Sequence, residues 1–151
     1  MHETIISDAT CFIILSKIGE LELLRATYGS IVTTSAVVTE YGAELPGWVS
    51  LRDPVSISQK DSIGILGIGE ASAISLALEI SDSTLILDDQ QARRVAERLG
   101  LMVTGTLGVL VRAKLKGLIP SIRPMIEKMR QTNFRLSEKV ETEALGQAGE
   151  L

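Results

Sequence analysis

Short aliphatic and β-branched runs alternate along the chain with longer stretches in which apolar residues recur every three or four positions. TIIS (4–7), SIVTT (30–34), TLIL (84–87) and LMVT (101–104) are almost wholly apolar. That composition predicts strands buried on both faces, as in a parallel sheet whose crossovers are helices. The clearest helix follows TLIL: Ala92, Val95, Ala96 and Leu99 fall at i, i+3, i+4 and i+7, and Gly100 stands where a glycine ends a helix. Leu107, Leu110 and Val111 repeat the spacing, with Leu115 a turn further and Gly117 at the stop. Further helices are predicted over 9–17, 19–28, 35–41, 70–81, 121–131 and 136–147. Right-handed crossovers then place helices on both faces of the sheet. The predicted fold is a three-layer α/β/α sandwich with a central parallel sheet of four or five strands and extra C-terminal helices. Between Gly42 and Gly69 neither period holds; Pro46, Pro54 and scattered glycines leave a weak helix near Trp48 and a possible edge strand near Val55.

With 151 residues and no internal repeat, low-complexity tract or linker, a single domain over 1–151 is expected. At 45% hydrophobic and 23% charged residues, the composition excludes disorder as the main state. One cysteine (Cys11) and one histidine (His2) exclude an internal disulfide and a zinc site of four Cys/His ligands. They also exclude nucleophilic mechanisms needing an imidazole beside a serine or cysteine, because His2 stands next to a terminus. No apolar run approaches the ~20 residues that span a bilayer, and the start MHETIISDATCF lacks the basic segment of a signal peptide, so a cytoplasmic location is expected.

Charge is uneven. Residues 112–139 hold eight basic residues against Glu127 and Glu138, a net of +6, which leaves −10 for the remainder of a chain whose total is −4. A basic stripe including Arg112, Lys116, Arg123 and Arg130 could track a phosphate backbone, or be an ordinary solvated face. Ile119, Ile122, Met125, Ile126 and Met129 make an apolar ridge that suits either core or a homodimer seam.

The acidic remainder carries the chemistry. Asp8 directly follows TIIS, and Asp88 and Asp89 follow TLIL, the carboxyl ends of parallel strands where open α/β sheets form their sites. Glu40 lies on the helix after SIVTT, and Glu70 near the start of the helix leading into TLIL. Each acid has a plain alternative, since Asp8, Asp88 or Asp89 could cap a helix and Glu70 suits a first turn. Together they would repel unless a cation or protons compensate, and without histidine a hard divalent cation is the natural partner. A dinucleotide-binding reading of GILGIGEAS, with Asp88 as the ribose acid, is weaker: Ser72 replaces the third glycine and Glu70 opposes a pyrophosphate. No P-loop motif is present.

The segments ISDATCFIILSKIGELELL, TTSAVVTEYG, GIGEASAISLALE, LILDDQQARRVAERLGLMVTGTLGVLVRAKLKGLI, FRLSEKV and QAGE resemble the PIN-domain family, in particular its small prokaryotic branch related to VapC-type toxins. The similarity runs in order along nearly the whole chain. It implies a helix-sandwiched parallel sheet and a Mg²⁺- or Mn²⁺-dependent endonuclease acting on single-stranded RNA, with an antitoxin protein as partner. Carried over, the resemblance makes Asp8 the first-strand acid with Thr10 as its hydroxyl companion, Glu40 the second acid, Glu70 the third, and Asp88 or Asp89 the fourth. Of the doublet, one is expected to face the metal and the other to cap the next helix, with Asp89 preferred as ligand. The C-terminal helices depart from the many relatives that end soon after the fifth strand. A non-catalytic PIN-like module binding nucleic acid or protein is the alternative of a different class.

Overall fold

The computed structural model describes residues 3–151, so His2 lies outside the described residues. Its elements in chain order are β1 (Thr4–Ser7), α1 (Ala9–Lys17), α2 (Glu22–Tyr28), β2 (Ile31–Thr33), α3 (Ser35–Tyr41) and β3 (Val49–Leu51). A single 3-10 turn at Ile63–Ile65 precedes α4 (Ile68–Glu79), β4 (Ser83–Ile86), α5 (Gln90–Arg98), β5 (Met102–Thr104), α6 (Thr106–Leu115), α7 (Arg123–Arg130) and α8 (Glu138–Gln147). The five strands form one sheet in the order β3-β2-β1-β4-β5, and every pairing is parallel.

Side chains alternate across a strand, so adjacent residues of β1 feed two cores. Ile5 packs with α1, α2 and α6–α8, while Ile6 packs with α4 and α5. Both faces are therefore covered, which is why the strands read as unbroken apolar runs. Gly100 and Gly117 end α5 and α6 at φ +81° and +78°, the left-handed region that an L side chain rarely adopts.

The apolar ridge at 119–129 is core: Ile122 and Met129 are fully buried, Ile119 and Ile126 nearly so. The C-terminal helices are pinned to α6 by Glu150, whose carboxylate accepts from Ser121 Oγ (2.5 Å) and the Ile122 amide (2.8 Å) and pairs with Lys114 (3.0 Å). Those bonds, Ser121's foremost, hold its carboxyl at about pKa 2. No helix among the described residues is long and apolar enough to cross a membrane.

Two expectations fail between residues 42 and 69. The edge strand is Val49–Leu51 rather than a segment near Val55, and no helix forms around Trp48. Pro46 closes a turn by accepting from the Val49 amide (3.0 Å), and Val49–Leu51 pair with Ile31–Thr33. This strand is too short to show a period; its register is set by β2. Val55 is 93% exposed and its amide donates instead to Glu79 of α4. The glycine motif before α4 follows this long connection and not a strand, which removes the tight βα turn that dinucleotide binding requires.

Candidate metal and nuclease site

Strand order reverses at β1: β2 and β3 lie to one side, β4 and β5 to the other. The crevice at the carboxyl end of such a switch point is where open parallel sheets bind ligands. Asp8 and Asp88 stand there because β1 and β4 are paired and end level, Ser7 opposite Ile86.

Asp8 takes the N-cap position of α1, yet its side chain makes no capping hydrogen bond. It is 3% exposed, and its Oδ1 has no hydrogen-bond partner. A buried carboxylate oxygen without a partner is unfavourable by a large margin unless something else fills the role. Burial chiefly raises the Asp8 pKa, to about 7; the Ala9 amide draws it down, and the charges of Glu40, Glu70 and Asp88 push it up further. Glu40 reaches Asp8 across Gly69. A Cβ on that glycine would stand 2.5 Å from Glu40 Oε1 and 3.5 Å from Asp8 Oδ1, so two carboxylate oxygens flank a space that only glycine leaves open.

A hydroxyl relay holds α3, which carries Glu40, against the start of α4. The Val37 amide donates to Thr34 Oγ1 (3.2 Å), Thr34 Oγ1 and Ser72 Oγ are 2.7 Å apart, and Ser72 Oγ donates to the Gly69 carbonyl (2.7 Å). Glu70 follows at once on α4. Its pKa is raised first by burial and then by the charges of Asp89 and Glu40, against the Gly67 amide, which lowers it.

The doublet divides opposite to expectation. Asp89 is the cap of α5, accepting from the Ala92 amide (2.9 Å), while Asp88 turns inward. Thr106, the first residue of α6, donates its amide to Asp88 Oδ1 (2.9 Å) and its hydroxyl to Oδ2 (2.6 Å). Burial raises the Asp88 pKa, and Thr106 and Arg93 pull against that rise. Ala92 lies three positions after Asp89, which is the spacing of a side-chain cap. Thr106 was not singled out in the sequence, and its signal was GTLG, a hydroxyl at the start of a helix just past the next strand. Thr10 lies partly buried in the first turn of α1. Cys11 beside it is free and buried, and burial pushes its thiol pKa up.

The five acids thus share one electrostatic field. Among the described residues no three Asp, Glu, His or Cys side chains form a ready-made group able to hold an ion. Mg²⁺ does not require one, because it is commonly held by one or two carboxylates and keeps several waters.

The four basic residues of the anticipated stripe are placed elsewhere. Arg112 and Lys116 lie roughly 9 and 15 Å down α6 from Thr106, against Tyr28 and the Thr27 carbonyl at the end of α2. Arg123 donates to the Glu150 carbonyl (2.6 Å), and Arg130 pairs with Glu127 (3.2 Å) and Glu141.

A family model described as a PIN domain matches residues 4–150. The chain belongs to the PIN-domain family. The fold is that of a nuclease family, and PIN domains as a class use divalent metals. No curated protein and no solved structure matches the chain.

The geometry around Gly69 gives a direct test of the pairing of Asp8 with Glu40. In Gly69→Ala the new methyl group must displace the flexible end of Glu40. Alanine is the better helix former by ~1 kcal/mol, so stability should hold or rise. Metal-dependent activity should fall about a hundredfold, the scale of an ångström's misplacement at a reacting centre. Parent-like kinetics in the variant would show that Glu40 is not needed beside Asp8.

Proposed function

We propose that this PIN domain is a Mg²⁺- or Mn²⁺-dependent endoribonuclease acting on single-stranded RNA, and that it is the toxin of a toxin and antitoxin pair. The observation that carries the reading is Asp8 Oδ1, buried and without a partner, facing Glu40 across the space that Gly69 leaves. Asp8 and Glu40 would hold the cation, with Asp88, Glu70 and Asp89 as further acids of the same field and Thr10 orienting a ligand. When bound, a divalent cation supplies charge neutralisation at a phosphodiester and a water of lowered pKa.

The residues themselves do the positioning. Thr106 fixes Asp88 at both oxygens, so that carboxylate can turn toward the crevice only in one orientation. The Thr34–Ser72 relay keeps Glu40 over Gly69. Burial of Asp8 and Asp88 keeps bulk water from screening the charges, which strengthens every interaction they make with a cation.

Single-stranded RNA incubated with the protein should be cleaved when Mn²⁺ or Mg²⁺ is present and left intact in EDTA. No cleavage with either metal across a panel of RNAs points instead to the non-catalytic alternative, and cleavage that persists in EDTA overturns the metal requirement. The toxin role has its own check: a small open reading frame for a DNA-binding antitoxin immediately upstream.

A further inference from the structure

A groove of about 800 Å³ opens beside Asp88, along the exposed edge of β5. Asp88 and Arg93 stand at its inner end, Gly105 lies on its floor, and Phe134, Arg135 and Lys139 form its outer wall. Asp88 is the acid that the groove shares with the crevice. A Cβ at Gly105 would fall 2.8 Å from Arg93 Nη1 and 2.9 Å from Asp88 Oδ1, so only glycine leaves room for both the guanidinium and the carboxylate there.

The cations of the basic third divide sharply between this groove and the rest of the surface. Arg112, Lys114, Lys116, Arg123, Lys128 and Arg130 are each held by a protein partner: the Tyr28 ring, Glu150, the Thr27 carbonyl, the Glu150 carbonyl, Glu20, and Glu127 with Glu141. Arg135 and Lys139 are exposed and, among the described residues, make no ion pair. Both face the groove, together with Arg93 and the half-buried ring of Phe134. Asp88, Glu97 and Glu143 also line it, so its unpaired cations are local to the 134–139 wall.

We infer that this groove, resting on the nuclease reading above, seats the stretch of single-stranded RNA next to the bond cleaved at the acids. Phosphates meet Arg135 and Lys139, and a base lies against Phe134, the combination of cationic track and aromatic face that binds single strands without a sequence code. The polyanion fits better than a peptide strand added to β5, whose three residues offer few backbone bonds. The extra C-terminal helices thereby acquire a function, with α8 held to α6 through Glu150 so that the wall stays in place.

The test is binding of a short fluorescein-labelled oligouridylate in EDTA, followed by anisotropy across a salt series. Arg135→Ala combined with Lys139→Ala should weaken binding tenfold or more and flatten the salt slope by about 1.4, at ~0.7 for each phosphate no longer neutralised. Arg112→Ala with Arg130→Ala should leave the slope as in the parent. A parent-like slope in the groove variant, or a flattened one in the control variant alone, overturns the groove, as does equal competition by polyglutamate, which would mark an acidic protein as the occupant. Because no cleavage occurs in EDTA, the two readings separate. A parent that cleaves with Mn²⁺ but whose groove variant binds normally keeps the nuclease and loses the groove; groove-dependent binding in a chain without metal-dependent cleavage does the reverse.

Discussion

Asp8→Asn should lose metal-dependent cleavage almost completely, with a fall of about a thousandfold, the upper end of what removing one preorganised electrostatic group costs. The substitution keeps the shape of the side chain and removes only its charge, so the result reports chemistry rather than packing. The fold should survive, because the carboxylate makes no capping bond and its Oδ1 has no partner to lose. His2→Ala should cleave like the parent, since no imidazole takes part. If Asp8→Asn and the parent cleave one RNA panel equally, the crevice is not the active centre.

The doublet extends this experiment. Asp89→Ala removes the cap of α5 and should lower metal-free stability by about 1 kcal/mol while retaining most of the response to metal. Asp88→Asn removes a buried charge facing Asp8 and should weaken that response without a comparable loss of stability. The opposite pattern would restore Asp89 as the ligand.

What could be read from the chain follows a physical division between local and long-range information. β1 and α3 were legible to the residue, and α5 and α6 nearly so, because each has its own period and its own stop, Gly100 and Gly117 among them. β3 was not, since a three-residue edge strand exists only through its pairing with β2. That Asp8 and Asp88 stand side by side was legible because paired parallel strands end level. Their individual roles were not: whether Asp88 or Asp89 caps depends on a backbone turn, and the clamp on Asp88 comes from Thr106, eighteen residues away. The basic third misled more. Charge density along a sequence says nothing about which cations are already paired, and six of its eight basic residues have partners that only tertiary packing supplies.

The second large effect needs no substrate. Asp8 has its pKa raised in the folded protein from 3.8 to about 7, so between those limits the native state binds a proton that the unfolded chain has released. The contribution of Asp8 to the stability of the metal-free protein is then greatest at and below pH ~4 and is lost as pH rises through 7, by as much as about 4 kcal/mol at ~1.4 kcal/mol per pH unit. For a chain of this size that is on the order of 10 °C in Tm. Asp8→Asn has no such proton to lose and should show little of this slope, leaving it more stable than the parent at neutral pH. On the proposed function, Mn²⁺ should replace the proton. A cation binding only the native state at ~100 times Kd adds about 2.7 kcal/mol, a rise of about 5 to 10 °C, and the rise should be larger at pH 7.5 than at pH 5.5, where the proton competes. Thermal melts of parent and Asp8→Asn at both pH values, with and without Mn²⁺ or Mg²⁺, measure all of this at once. A parent Tm indifferent to either metal up to millimolar concentration would mean that these carboxylates do not share a cation, and the orphaned Asp8 oxygen would need another explanation.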